Sequence, residues 1–226
     1  MYKILDSIPV NTTLENVLES LRIEEEEDVE IVSSLFENAK AIAKPKVLYK
    51  EVFVEEINGN VVRIDGFDFV SKVLASVFND VDRIFAHVCT CGTEVDDWSR
   101  TESDYISSLW LEFIKGMFLG EAAVYFSDHL KSTYGFEHLS KVSPGSGNLE
   151  NWPISQQAQL FGLLDNVKEK IGVTLTDSFL MIPIKSMSGL LFTSAKAYSD
   201  CSLCNQENCP SRSVEFNHEL HDKVFA

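Results

Sequence analysis

Two periodicities alternate along this chain. Val29, Val32, Phe36, Ala39 and Ala43 recur at helical spacing, widened by Leu35 and Ile42, and predict a helix over about Asp28–Ala43 that Pro45 ends. A shorter helix is expected over Leu14–Leu21, with Val17, Leu18 and Leu21 on one face and Asn11 or Thr12 as cap. The acidic run Glu24–Glu27 suits the first turn of the helix after it, because carboxylates are stabilised at a helix N-terminus. Tyr2–Pro9 reads as a short edge strand. Val47–Ile57 alternates in part, Asn58-Gly59-Asn60 is a hairpin turn, and Val61–Ile64 returns along it. Phe69–Phe78 reads as a short helix and Arg83–Cys89 as a central strand that Gly92 breaks.

Beyond Gly92 a long helix is expected from Ser103 to Leu130, with Leu109, Phe113, Met117 and Val124 recurring and Gly116, Gly120 and Ala122-Ala123 permitting close packing. Tyr134–Val142 is a short strand or extended arm, Gln157–Val167 a helix, Phe179–Ile184 and Leu190–Ala197 strands, and Val214–Val224 a last short helix. Helices and strands mix without strict alternation and one hairpin is explicit. The expected class is α+β: an antiparallel or mixed twisted sheet with flanking helices. Residues 1–80 read as an N-terminal α/β part packed on the same domain, 81–200 as the core, and 201–226 as a cysteine-bearing tail.

Composition narrows the function classes. A hydrophobic fraction of 45% in 226 residues supplies a buried core. A net charge of −16 repels a phosphate backbone, which sets nucleic acid aside and favours docking on a basic protein surface. No apolar run is long enough to span a membrane, and MYKILDSIPV lacks the charged-then-apolar pattern of a secretion signal, so a cytoplasmic protein is expected. No nucleophile–base pair, phosphate loop or dinucleotide fingerprint occurs, and no catalytic residue is assigned.

Two stretches carry candidate ligand chemistry. Ser143-Pro144-Gly145-Ser146-Gly147 is a glycine turn that lets backbone N–H groups approach a ligand; alone it is indistinguishable from an ordinary loop. Lys185-Ser186-Met187-Ser188-Gly189 offers one cation and two hydroxyls after Pro183, or else a plain strand end with a solvated lysine. The cysteines form two groups. Cys201-x2-Cys204-x4-Cys209-Pro210 has a spacing at which thiolates converge on zinc or an iron–sulfur cluster. A fourth ligand is sought in Cys89, Cys91, His218, His221 or an exogenous group; the bland alternative is reduced, unligated thiols. Cys89, Cys91 and His87 share one strand face, where buried small residues and a core histidine are the commoner outcome. Trp98, Trp110 and Trp152 read as core, with Trp152-Pro153 the best candidate for a ligand platform.

Four ordered blocks carry a family resemblance: S-P-G-x-G from Ser143, W-P-I-x-x-Q from Trp152, I-G-V-x-L-T-x-S from Ile171 and M-x-P-x-K-S-x-S-G from Met181. Together they resemble the activation domain of cobalamin-dependent methionine synthase, most closely its small stand-alone relatives, over roughly residues 80–212. The resemblance implies an S-adenosylmethionine pocket at the glycine turn and a face near Lys185–Gly189 that meets the corrinoid of a partner methyltransferase. Lys141, Gly145, Gly147, Lys185 and Ser188 would line the small-ligand side. The family's R-x-x-P-G-Y departs here to Lys141 and Ser146, and its acidic helix residue aligns with Tyr125, one turn from Glu121. Lysine keeps the charge of arginine and loses its planar fork.

The expected function is therefore reactivation of a corrinoid methyltransferase, a possible activation subunit, with S-adenosylmethionine as methyl donor and cobalamin carried by the partner. Two alternatives remain open on the sequence. One is an activator bearing iron–sulfur or another metal on Cys201, Cys204 and Cys209 that does not use S-adenosylmethionine. The other is an assembly module with structural zinc.

Overall fold

A computed structural model describes residues 1–147, 151–194, 198–210 and 212–225. The chain begins with β1 (Tyr2–Leu5), α1 (Leu14–Leu21) and α2 (Glu26–Ile42), followed by β2 (Lys46–Asn58), β3 (Val61–Ile64) and β4 (Phe67–Val70). Next come α3 (Lys72–Val77), β5 (Arg83–Thr90), α4 (Thr93–Ser99) and α5 (Tyr105–Tyr134). The last part holds β6 (Ser140–Val142), α6 (Gln157–Leu164), α7 (Val167–Ile171), β7 (Thr174–Leu175), β8 (Met181–Ile182), β9 (Ser186–Phe192) and α8 (His218–Phe225).

The main sheet runs β4-β3-β2-β5-β9-β6, with β1 added on β2, and every pairing in it is antiparallel. The fold is α+β, an antiparallel sheet with flanking helices. β2 is long enough to hold β1 on residues 47–50 and β3 on residues 54–58 of the same edge, with a bulge between Val54 and Glu56. β5 is central, as its apolar run implies, and every residue of it after Arg83 is buried.

The strand alternation sends two sets of side chains to two cores. Leu48, Val52, Ile84, Ala86, Val88 and Leu190 face one core, under α3, α6, α7 and α8. Val47, Tyr49, Phe85, Cys89 and Leu191 face the other, under α1, α2, α4 and α5. Period 2 in each strand divides these residues, and both sheet faces are covered.

Several expected boundaries move, each for a local reason. Thr13, not Asn11 or Thr12, caps α1: its hydroxyl accepts from the Asn16 N–H while Asn16 Oδ1 returns to Thr13. β4 occupies the start of the helix expected at Phe69, because Asp65 (φ 48°) and Gly66 (φ 82°) make a tight left-handed turn that folds Phe67–Val70 back on β3. Ser71 then caps the shorter α3. The helix expected over Gln157–Val167 breaks at Asp165 and Asn166, both at positive φ, into α6 and α7. The strand expected over Phe179–Ile184 narrows to β8, and β9 starts at Ser186 rather than Leu190. The expected end of that strand, 195–197, lies outside the described residues.

The phase of α5 differs most. Of the expected stripe, Met117 packs partly buried on the core while Leu109, Phe113 and Val124 are 49%, 40% and 62% exposed, whereas Leu111, Ile114, Phe118, Ala122, Phe126 and Leu130 are buried. Apolar residues surround this helix, so spacing alone does not choose which set meets the sheet.

Candidate functional site

β6 pairs with β9 in the register Lys141↔Leu191 and Val142↔Leu190, so the Ser143–Gly147 turn leaves the sheet beside Gly189. A Cβ on Gly189 would sit 2.6 Å from the Val142 carbonyl oxygen and 2.8 Å from Ser143 Oγ. Only glycine allows the two motifs to touch there. The structure thus brings together the two stretches singled out in the sequence.

The second stretch takes the strand-end form of its two readings. It is the start of β9, paired with β5 from Thr90↔Ser186 to His87↔Gly189. Its side chains are engaged internally. The Ser186 hydroxyl donates to Thr90 Oγ1 at 3.0 Å and the buried Ser188 hydroxyl to Gln157 Oε1 at 3.1 Å. Lys185 Nζ lies 3.6 Å from Glu112 Oε2, and its carbonyl accepts the Cys91 N–H at 3.0 Å.

In the glycine turn, the Gly145 N–H donates to the Trp152 carbonyl at 2.8 Å and the Ser146 N–H to the Ser143 carbonyl at 3.2 Å. The Ser143 N–H donates at 3.1 Å to Oδ2 of Asp200, a residue the sequence reading missed. The Ser146 hydroxyl also bonds to that carboxylate, and the Tyr198 hydroxyl donates to its Oδ1 at 3.1 Å. Asp200 is 8% exposed. Burial pushes its pKa up, against the opposing hydrogen bonds from Ser146, Tyr198 and Ser143. Burial likewise raises the Tyr198 phenol, reinforced by the neighbouring Asp200 charge.

Gly147 (φ 73°) closes the turn against the tail. A Cβ there would lie 2.8 Å from Asn151 Nδ2, 3.5 Å from the Asp200 carbonyl oxygen and 3.6 Å from Cys204 Cβ. The buried Asn151 amide and Trp152 indole N–H have no hydrogen-bond partner among the described residues. Trp152 is fully buried, edge-on to Phe69 at 5.8 Å, and belongs to the core. Trp98 and Trp110 pack partly buried on the opposite core.

Lys141 is exposed on β6, and its ammonium acts on three buried groups, His87, Cys89 and Asp200. Burial, then that charge, pulls the His87 pKa down to about 3, so the ring is neutral. It packs on Phe126 at 5.2 Å, as a core histidine does. On α5, Tyr125 is 39% exposed. Glu121 is committed elsewhere: its carboxylate accepts the Asn11 and Thr12 N–H groups, each at 2.6 Å, and also the Thr12 hydroxyl.

The cysteines divide between the two sides of the sheet. Cys89 and Cys91 are buried in the α5-side core, and burial pushes both thiols up to about 12. The tail packs on the other side through Leu203. Residues Asp200–Leu203 form one 3₁₀ turn, capped by Ser199. Arg212 fills the bend of the tail: its guanidinium donates to the carbonyls of Cys201 (3.4 Å), Cys204 (3.1 Å), Gln206 (2.6 Å) and Val214 (3.3 Å). Hydrogen bonds from Ser213 and then Ser199 lower the Cys201 pKa. Among the described residues no three His, Cys, Asp or Glu side chains converge to hold a metal ion. As folded, the backbone carbonyls of the tail are gathered around the Arg212 guanidinium.

One further polar cluster escaped the sequence reading. Lys115, 1% exposed, places Nζ 2.9 Å from Asp96 Oδ1, 2.8 Å from Ser99 Oγ and 2.5 Å from Glu112 Oε1. Burial opposes its charge, but the hydrogen bonds to Glu112 and Asp96 outweigh that and its pKa is raised. Glu112 also meets Lys185, so this cluster anchors the start of β9.

Residues 137–211 match the family described as "Vitamin B12 dependent methionine synthase, activation domain". That match bears out the resemblance read from the sequence and spans the glycine turn and the cysteine tail. The fold matches a solved structure titled "Crystal Structure of the MetH Reactivation Domain bound to AdoHcy", with a TM-score of 0.59 and 16% identity over 89% of this chain and 81% of that one. No curated protein matches the chain in sequence. Among the described residues no helix is long and apolar enough to cross a membrane.

Proposed function

We propose that this chain is a reactivation partner of a cobalamin-dependent methyltransferase. In this reading residues 81–200 are the activation-domain-like core, 1–80 pack on it, and 201–226 close one end. The chain docks on the corrinoid protein and offers S-adenosylmethionine from the side where β6 and β9 meet. Lys141 and the Ser143–Gly147 turn would hold S-adenosylmethionine, which would supply a methyl group, with S-adenosylhomocysteine as product, to the partner's corrinoid once an external reductant had supplied one electron. The chemistry is that of the two cofactors; the protein supplies position and charge.

The observation that carries this reading is the contact between the Ser143–Gly147 turn and Gly189, inside the segment that matches the activation domain. A turn whose Ser143 N–H and Ser146 hydroxyl already hold a carboxylate is suited to the carboxylate of an amino-acid ligand. Lys141, exposed beside it, adds a cation. The acidic surface favours a basic docking face on the partner. The metal-bearing alternatives rest on the spacing of Cys201, Cys204 and Cys209, and among the described residues no three His, Cys, Asp or Glu side chains converge there.

Calorimetric titration with S-adenosylmethionine and with S-adenosylhomocysteine tests the ligand. Saturable heat is expected from both, weakened at least tenfold in Lys141→Ala. Absence of heat and of any thermal shift removes S-adenosylmethionine from the account.

A further inference from the structure

We infer that Asp200 is a built-in stand-in for the ligand carboxylate, and that the tail turn Asp200–Leu203 must lift before a ligand can seat on the glycine turn. The inference rests on the reading above and adds a regulatory element to the same site. The Asp200 carboxylate spans the Ser143 N–H, the Ser146 hydroxyl and the Tyr198 hydroxyl. Those are the donors at which a bound carboxylate would sit, and one set of donors cannot serve two carboxylates at once. A Cβ on Gly147 would reach the Asp200 carbonyl oxygen and Cys204 Cβ at van der Waals distance, so the tail lies beside the turn as well as bonding to it.

The geometry also shows what holds the tail down. Lys141 and Ser199 form a parallel bridge at its near end. Arg212 ties the carbonyls of Cys201, Cys204 and Gln206 together, and the Asn217 N–H donates to the Ser202 carbonyl at 2.8 Å. These bonds tie the segments around Cys201–Gln206, Arg212 and Asn217 to one another. The buried Asn151 amide and Trp152 N–H have no hydrogen-bond partner among the described residues, and a ligand that fills the site is expected to supply one. A ligand that carries both a carboxylate and further polar groups satisfies both parts of the site.

Hydrogen exchange read by mass spectrometry tests this on the intact chain. With saturating S-adenosylmethionine, the peptide covering 198–204 is expected to take up deuterium several-fold faster while the Ser143–Gly147 peptide stays protected. 5′-Methylthioadenosine, which lacks the carboxylate, is expected to leave the tail protected. Asp200→Asn is expected to bind S-adenosylmethionine at least tenfold more tightly. Tyr198→Phe, which removes a single bond, is expected to do so by a smaller factor.

Binding with an unchanged tail overturns the inference and spares the ligand reading. So does equal or weaker binding by a folded Asp200→Asn. Tail release by methylthioadenosine also overturns it. No binding by wild type or either variant overturns the ligand reading and this inference together.

Discussion

Burial decides the chemistry of single residues here. His87 has a folded pKa near 3 against an unfolded value of 6.5, so it contributes stability that is complete above 6.5 and is lost as pH falls through that window. Urea unfolding at pH 4.5 is expected to show a loss of about 3 kcal/mol relative to pH 7 from this residue, at roughly 1.4 kcal/mol per pH unit. His87→Phe should flatten that part of the pH dependence; an unchanged slope would mean the ring is protonated inside the protein. Lys115→Met leaves the Asp96 carboxylate, 5% exposed, with Arg100 as its remaining ion partner. A loss of about 3–5 kcal/mol is expected in the same unfolding assay, with part of it recovered when Asp96→Leu is added. The core fate of His87 was legible from its place on an apolar strand. The role of Asp200 was not, because its partners at Ser143 and Ser146 are more than fifty residues away and no local pattern links them.

At the scale of elements, regular period and turn chemistry were readable, and competition between faces was not. α1 occupies the very residues expected, and β2 and β3 meet at the Asn58-Gly59-Asn60 hairpin. β4 was hidden because Phe67–Val70 is too short for its alternation to stand out. Only the positive φ values at Asp65 and Gly66 explain the reversal. In α5 the glycines were expected to admit a packed neighbour. Gly116 is instead half-buried and Gly120 exposed, and a Cβ on either would meet nothing within 4 Å. Gly120→Ala is therefore expected to raise stability by about 0.5–1 kcal/mol through helix propensity alone, seen as a higher melting temperature. A lower one would show that this face is covered in solution.

For the molecule as a whole, an antiparallel sheet covered on both faces sets the cysteine tail, packed through Leu203, and the cysteine pair Cys89 and Cys91 in separate neighbourhoods. The sequence showed both groups and could not show that a sheet lies between them. The family blocks at Ser143, Trp152, Ile171 and Met181 were legible because each is a local backbone signature. Their convergence needed the β6–β9 register. Spacing groups Cys201, Cys204 and Cys209 but says nothing about Arg212, whose guanidinium gathers the carbonyls of Cys201 and Cys204.

The measurement that bears most directly on the function is an anaerobic mixture of a cob(II)alamin-loaded methyltransferase lacking its own activation domain, a one-electron reductant and S-adenosylmethionine. Its visible spectrum is followed with and without this chain. Rapid loss of the cob(II)alamin band and recovery of turnover only when the chain and S-adenosylmethionine are both present is the expected result. A spectrum that changes at the same rate without the chain would contradict the account.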